Sequence, residues 1–288
     1  MYALLAVAGV FLLAILLLRR AARRFLQPSG RRTPRTPDAL GLHGEAFAIP
    51  TADGALRGWL LRASSAPRPV VIVAHGWNSN AGDMLRWAEP IVGAGYHALV
   101  FDVLGHGESD AAAFTSLRHF RRDLSAATRW AAAQPCAAGL VLFGHSMGGA
   151  AAILAAAGGA DVAGVVVAGA PTDPLAITRE WLDAKGLPGA LLVALMRPFW
   201  APVIGERYQN LRPLAAIASL RGPVLILHGA RDREVPVRHG ERLAAANPRA
   251  RFVRLENGDH YNLPTLPAYR DVVLGFLAAA TGRAATDG

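Results

Sequence analysis

The chain has 288 residues, 52 % of them hydrophobic, and a formal net charge of +9 at pH 7, so it can bury one large core as a single catalytic-sized domain. Seven of its 30 basic residues precede the first acidic residue, Asp38, which leaves 23 basic and 21 acidic residues in the rest. This clustering argues against a nucleic-acid partner, and the single cysteine, Cys136, excludes an intrachain disulfide.

The first 18 residues, MYALLAVAGVFLLAILLL, contain no charged side chain. As a helix they would extend about 27 Å, enough to cross a thin bilayer core. Four arginines follow this run, whereas a cleaved signal peptide carries its positive charge before the apolar run. We therefore expect a retained transmembrane anchor with the catalytic part in the cytoplasm, and an extracytoplasmic placement is the alternative.

Residues 19–38 are rich in arginine and proline and lack apolar periodicity. This composition is typical of an extended linker. The linker either is a solvated spacer or also contacts anionic lipid head groups.

Residues 39–288 alternate between apolar runs of strand length and segments of helical length. Residues 45–63 predict an antiparallel hairpin that turns at Asp53-Gly54. Near-continuous apolar runs, typical of buried parallel strands, occupy 69–76, 97–103, 139–146, 162–171 and 222–232, and a more alternating edge strand is expected at 250–260. The pattern predicts an α/β fold, with a mostly parallel central sheet and helices on both faces.

The segment Gly144-His145-Ser146-Met147-Gly148 joins a predicted strand to a predicted helix. Glycines are needed where a turn is so tight that side chains cannot fit. The spacing Gly-x-Ser-x-Gly matches the nucleophile elbow, in which a serine hydroxyl stands above the end of a sheet.

Two further side chains with acid–base chemistry follow later strands. A serine nucleophile needs a histidine base, and the histidine needs a carboxylate to fix its tautomer. The order Ser146, Asp232, His260 is the order that accompanies this elbow. Glu234 is the reserve for the acid, and Asp259 is expected to be exposed. No residue spacing indicates a metal or another cofactor.

Five motifs occur in the same order as in the α/β-hydrolases: AHGW (74–77), FDVLGHGES (101–109), GHSMGG (144–149), HGARDREVP (228–236) and GDH (258–260). The chain resembles in particular the lysophospholipase, monoglyceride lipase and serine-aminopeptidase-like branch, over about residues 45–280. The resemblance implies the α/β-hydrolase fold, with Ser146 as nucleophile, Asp232 as acid and His260 as base. It also implies an oxyanion hole formed by the backbone amides of Trp77 and Met147. The chain departs from relatives that carry a glycine-rich HGGG motif, since it has HGW.

About 50 residues, 172–221, interrupt the strand–helix alternation. In the fold that the chain resembles, this position commonly holds a helical cap over the active site. Five apolar side chains in it are expected either to wall an acyl pocket or meet the membrane, or only to pack the cap onto the domain: Leu191, Leu195, Met196, Phe199 and Trp200.

These features predict a membrane-anchored serine hydrolase that cleaves small-molecule or lipid esters with an apolar acyl group. Thioester and peptide hydrolysis use the same triad and remain alternatives, as does a noncatalytic, membrane-tethered binding module.

Overall fold

The computed structural model describes residues 2–28 and 35–282, without the side chains at positions 3–6 and 8. Part of the predicted linker, residues 29–34, lies outside the described residues.

Within these ranges the chain forms eight strands and nine α-helices. The strands are β1 (Gly44–Thr51), β2 (Gly54–Leu61), β3 (Arg68–Ala74), β4 (His97–Phe101), β5 (Ala137–His145), β6 (Gly164–Ala168), β7 (Val224–Gly229) and β8 (Arg251–Leu255). The helices are α1 (Tyr2–Phe25), α2 (Ala81–Gly93), α3 (Leu117–Ala132), α4 (Met147–Ala157), α5 (Pro174–Ala184), α6 (Gly189–Ile204), α7 (Pro213–Ile217), α8 (Arg238–Ala246) and α9 (Pro267–Thr281).

The strands form one sheet in the order β1-β2-β4-β3-β5-β6-β7-β8. Strand β2 pairs antiparallel with β1 on one side and with β4 on the other, and the other pairs are parallel. The predicted mostly parallel sheet is therefore confirmed, with β8 at its edge. Parallel strands place their carboxyl ends at one edge of the sheet, where ligands bind.

Helices cover both faces of the sheet. Alternate residues of each strand point to opposite faces, and the apolar side chains on each face pack against helices. In β3, Val70 and Ile72 pack with α3 and α4, whereas Val71 and Val73 pack with α2 and α9. Both faces are thus apolar, which explains why the central strands read as continuous hydrophobic runs.

The helices α5, α6 and α7 lie between β6 and β7, in the segment predicted to form a cap. Helix α5 packs against α6, and α7 packs against α4. Asp173 caps the first turn of α5, since its carboxylate accepts hydrogen bonds from the amides of Leu175 and Ala176.

Helix α1 covers most of the segment expected to be a membrane anchor. Among the described residues, no helix meets the length and apolarity needed to cross a membrane. The C-terminal end of α1 instead packs against the cap helix α6, where Ala22 and Leu26 are buried.

Candidate active site

Ser146 lies in the sharp turn between β5 and α4. Its backbone has a conformation that residues other than glycine rarely adopt (φ 54°, ψ −118°). A Cβ at Gly144 would lie 2.2 Å from the carbonyl oxygen of Gly148, and one at Gly148 would lie 2.3 Å from that of Ala74. Both glycines are therefore required by close backbone contacts. The Ser146 amide donates to the Ala168 carbonyl (2.8 Å), which ties the turn to the neighbouring strand.

Asp232 and His260 form a buried hydrogen-bonded pair. The Nδ1 atom of His260 donates to Oδ2 of Asp232 at 2.7 Å. The other carboxylate oxygen, Oδ1, accepts from the amides of Glu234 (3.0 Å) and Val235 (2.7 Å). The carboxylate is thereby oriented, and it fixes the tautomer in which Nε2 of His260 can accept a proton. The side chain of Glu234, the reserve acid, is exposed.

The loop that carries His260 is organised by its neighbours. The Asp259 carboxylate accepts hydrogen bonds from the amides of Tyr261 and Asn262, both at 2.8 Å. Asp259 is half-buried, so the expectation of an exposed side chain was wrong, because this residue closes the turn. His145 donates from Nε2 to the carbonyl oxygen of His260 (2.8 Å). Burial, and then the nearby His260, hold the pKa of His145 well below its usual value, so it is neutral.

His75 orients the peptide group between Gly76 and Trp77. Its Nδ1 donates to the Gly76 carbonyl (2.7 Å), and its Nε2 accepts from the Val103 amide (3.0 Å). Burial, reinforced by the neighbouring His106, lowers the pKa of His75 to about 3, so the ring keeps both roles. In a trans peptide the C=O and N–H groups point in opposite directions, so holding the Gly76 carbonyl also sets the direction of the Trp77 amide.

The amide of Met147, at the first position of α4, has no acceptor within its own helix. In the part of the chain that the structure describes, neither this amide nor that of Trp77 donates a hydrogen bond to another protein group. Both residues line cavities that contain Ser146.

Two cavities meet at Ser146, Trp77 and Trp181. The first is lined almost entirely by apolar side chains, and no charged residue is among those that line it. The second is lined by His260 and by polar or charged residues, among them Asp83 and Glu234. Trp181 stands between them and donates from Nε1 to the Glu234 carbonyl (2.8 Å). The site therefore offers an apolar compartment and a polar one on either side of the serine.

Of the five cap residues expected in the pocket, only Trp200 is among those that line the apolar cavity. Met196 and Phe199 belong to the cluster in which α6 packs on α1. Leu191 and Leu195 are exposed, by 57 % and 45 %. Helical periodicity explains the split: Val193, Met196 and Trp200 share one buried face, and Leu191 and Leu195 point away from it.

Three contributors to the site were not predicted from the sequence. Gly169, at the end of β6, has φ 57°, and a Cβ there would lie 3.3 Å from Oδ2 of Asp232 and 3.4 Å from Nδ1 of His260. Phe25, the last residue of α1, and Leu26, which follows it, line the apolar cavity. The "VVVAGAP" run contains a glycine at a strand end, which is a local signal for Gly169, whereas no local signal places α1 beside the serine.

The chain is similar to a known protein family and to individual bacterial proteins. A family model described as serine aminopeptidase, S33, matches residues 65–213. The chain is 30 % identical over 246 residues to the uncharacterized protein Rv2307c of Mycobacterium tuberculosis, covering 83 % of this chain and 79 % of that protein. It is 28 % identical over 225 residues to the uncharacterized protein YqkD of Bacillus subtilis, covering 75 % and 72 % of the two chains.

Solved structures share the fold. The esterase Pf2001 of Pyrococcus furiosus superposes with a TM-score of 0.71 at 23 % identity, covering 88 % of this chain and 97 % of the esterase. Est1E of Butyrivibrio proteoclasticus, solved with ferulic acid bound, has a TM-score of 0.64 at 19 % identity, covering 81 % and 100 %. Both likenesses concern the arrangement of the backbone.

Proposed function

The chain belongs to the serine aminopeptidase S33 family and has the α/β-hydrolase fold, and from this premise we propose that it cleaves carboxylic esters of an apolar acyl group through an acyl-enzyme on Ser146. The observation that carries the proposal is the meeting of an apolar and a polar cavity at Ser146. The acyl group would occupy the apolar cavity, and the alcohol would leave through the polar one.

The reaction would proceed in two steps. Nε2 of His260 takes the proton of the Ser146 hydroxyl as its oxygen attacks the ester carbonyl, and the amides of Trp77 and Met147 donate to the resulting oxyanion. The intermediate collapses, and His260 returns the proton to the departing alcohol. Water, deprotonated by His260, then attacks the acyl-enzyme, and His260 returns this proton to the Ser146 oxygen as the carboxylic acid is released.

The lining of the apolar cavity favours an ester substrate over a peptide with a free N-terminal amino group. An aminopeptidase must hold a charged α-amino group on the acyl side of the scissile bond. Taking an ammonium group into an apolar site without a partner is strongly unfavourable. None of the described residues that line this cavity is a carboxylate that could serve as that partner.

Covalent labelling with a fluorophosphonate tests the proposal. The wild-type chain should gain one adduct, seen by intact mass, and Ser146→Ala should gain none. His260→Ala should react far more slowly, because the serine loses its base. A folded wild-type chain that gains no adduct would contradict the proposal and favour a noncatalytic binding module. Hydrolysis of thioesters in preference to matched oxygen esters would favour the thioesterase alternative.

We also propose that α1 associates with a membrane and that the catalytic part faces the cytoplasm. Support comes from exposed apolar side chains, such as Phe11 (71 %) and Leu17 (58 %), and from the arginines at 19, 20, 23 and 24 that follow them. Cell fractionation tests the association, since substituting polar residues at Phe11, Leu13 and Leu17 should release the chain from the membrane fraction. Protease accessibility of the catalytic part in intact and opened cells would test its side.

A further inference from the structure

The end of helix α1 is built into the catalytic cavity. Phe25 and Leu26 line the apolar compartment together with Ser146 and Met147. The carbonyl of Leu26 accepts a hydrogen bond from the amide of Thr115 (2.7 Å), and the Leu26 side chain is only 7 % exposed. These contacts fix the end of the helix at the wall of the cavity.

The cap helix α6 holds α1 from the other side. Trp200 donates from its indole Nε1 to the carbonyl of Ala22 at 2.9 Å, and its ring lies 5.4 Å from that of Phe25. Val193 and Met196 are buried in the same cluster. The cap and α1 thus close the apolar cavity jointly. Without either helix, the apolar side chains of the other would be exposed to water.

The preceding part of α1 carries apolar side chains into solvent. Val10, Phe11, Leu13 and Leu17 are between 57 % and 71 % exposed. From residue 10 to residue 25 a helix rises about 22 Å. The exposed apolar stretch and the wall of the cavity that contains Ser146 therefore belong to one segment of chain, and Leu18 and Ala22 between them pack against α6.

The charges beside this surface indicate what covers it. Arginines occupy positions 19, 20, 23 and 24, between the exposed apolar stretch and the cavity. A parallel second copy of this chain would bring two such arginine clusters together, which is unfavourable. Lipids with anionic head groups would instead cover the apolar side chains with their acyl chains and attract the arginines to the surface of the membrane.

We propose that α1 is the route by which the acyl chain of a lipid-embedded ester reaches Ser146, and that Phe25 and Leu26 set the acyl length the enzyme accepts. The proposal rests on the ester hydrolysis proposed above and narrows its substrate to esters drawn from a lipid surface. Leu26 is the specificity position that can be tested most directly, because its side chain is buried at the cavity wall.

The test measures kcat/KM for p-nitrophenyl esters from butyrate to palmitate, using the full chain in phosphatidylcholine–phosphatidylglycerol vesicles. Leu26→Trp fills the cavity and should lower the palmitate-to-butyrate ratio by about tenfold or more, the range seen when a pocket rejects added methylenes. Leu26→Ala should shift the preference toward longer chains. Val193→Ala is the matched control, because Val193 packs in the same α1–α6 cluster but is not among the residues that line the cavity.

The entry route has its own measurement. Substituting Gln for Phe11, Leu13 and Leu17 should lower the ratio of the palmitate rate in vesicles to the rate in detergent micelles. Equal vesicle-to-micelle ratios in this variant and the wild type would overturn the route. A chain-length profile of both Leu26 variants that matches Val193→Ala would overturn the role of Leu26, while ester hydrolysis by the wild type would still stand. A wild type that neither hydrolyses esters nor takes the fluorophosphonate would overturn the proposed function and this inference together.

Discussion

The carboxylate of Asp232 accepts two backbone hydrogen bonds at one oxygen and the His260 ring at the other. These bonds hold the His260 ring, and His260 lines the same cavity as Ser146. In the proposed mechanism Asp232 acts through His260, by setting the tautomer and the position of that ring.

We expect Asp232→Asn to lower kcat for a short ester by about 10⁴-fold, because an amide stabilises the wrong histidine tautomer and no imidazolium. Glu234→Gln is the control, since the Glu234 side chain is exposed and only its amide contacts Asp232. Equal losses in the two variants would contradict the assignment of Asp232 as the acid. Circular dichroism would establish that both variants fold.

Gly169→Ala should impair both stability and catalysis. Its left-handed backbone disfavours a side chain by about 1 kcal/mol or more, and the new methyl group would press on Asp232 and His260. Gly41→Ala has a similar φ of 66° and no atom within 4 Å of the added Cβ. Both variants should unfold at lower denaturant concentration, but only Gly169→Ala should lose kcat. A Gly169→Ala enzyme with wild-type kcat would show that the pair does not depend on this close contact.

Helix α6 is apolar on two faces, of which only one is buried. Trp200 is 4 % exposed and contacts α1, whereas Leu195 is 45 % exposed on the other side. This division makes α6 the element that joins the cap to the N-terminal helix.

Trp200→Ala should therefore destabilise the chain by about 3–5 kcal/mol, because a large buried ring and its hydrogen bond to Ala22 are both lost. Leu195→Ala, an exposed substitution on the same helix, should change the free energy of unfolding by no more than about 0.5 kcal/mol. Denaturant unfolding of both variants checks this. Similar losses in the two would mean that α6 packs with its other face inward.

Local signals in the sequence were enough to predict the strands. They were also enough to predict that Asp232 and His260 lie in loops at the same edge of the sheet. Gly-x-Ser-x-Gly predicted the elbow because backbone crowding there acts over only five residues. The pocket was predicted poorly because Trp200 meets Ala22 across 178 positions of sequence. An apolar helix does not reveal from its own residues which face a distant segment will cover.

The described residues include six histidines whose pKa lies below the ordinary value, chiefly because burial disfavours the charged ring. The pKa is about 3 at His75 and about 4 at His119, and it is also lowered at His97, His106, His145 and His228. The unfolded chain binds protons at these rings below about pH 6.5, while the folded chain does not.

Stability should therefore be fully present above about pH 6.5 and fall as the pH drops toward 4, with more than one proton taken up on unfolding. Asp102 acts in the opposite direction, since burial raises its pKa to about 6, but the histidines outnumber such carboxyls. Urea unfolding at a series of pH values gives the proton uptake from the slope of the unfolding free energy. A free energy that is constant between about pH 7 and pH 5 would contradict these pKa shifts.

The packing of α1 on α6 also bears on how the enzyme can be handled. Removing an apolar N-terminal helix is a common way to prevent a protein from aggregating in aqueous buffer. Here the trimmed chain would present Val193, Met196 and Trp200 to water and leave the apolar cavity open on one side. Truncation would remove the exposed apolar part of α1 but expose the apolar face of α6. We expect the shortened protein to aggregate more readily than the intact chain. We also expect it to discriminate less among acyl lengths.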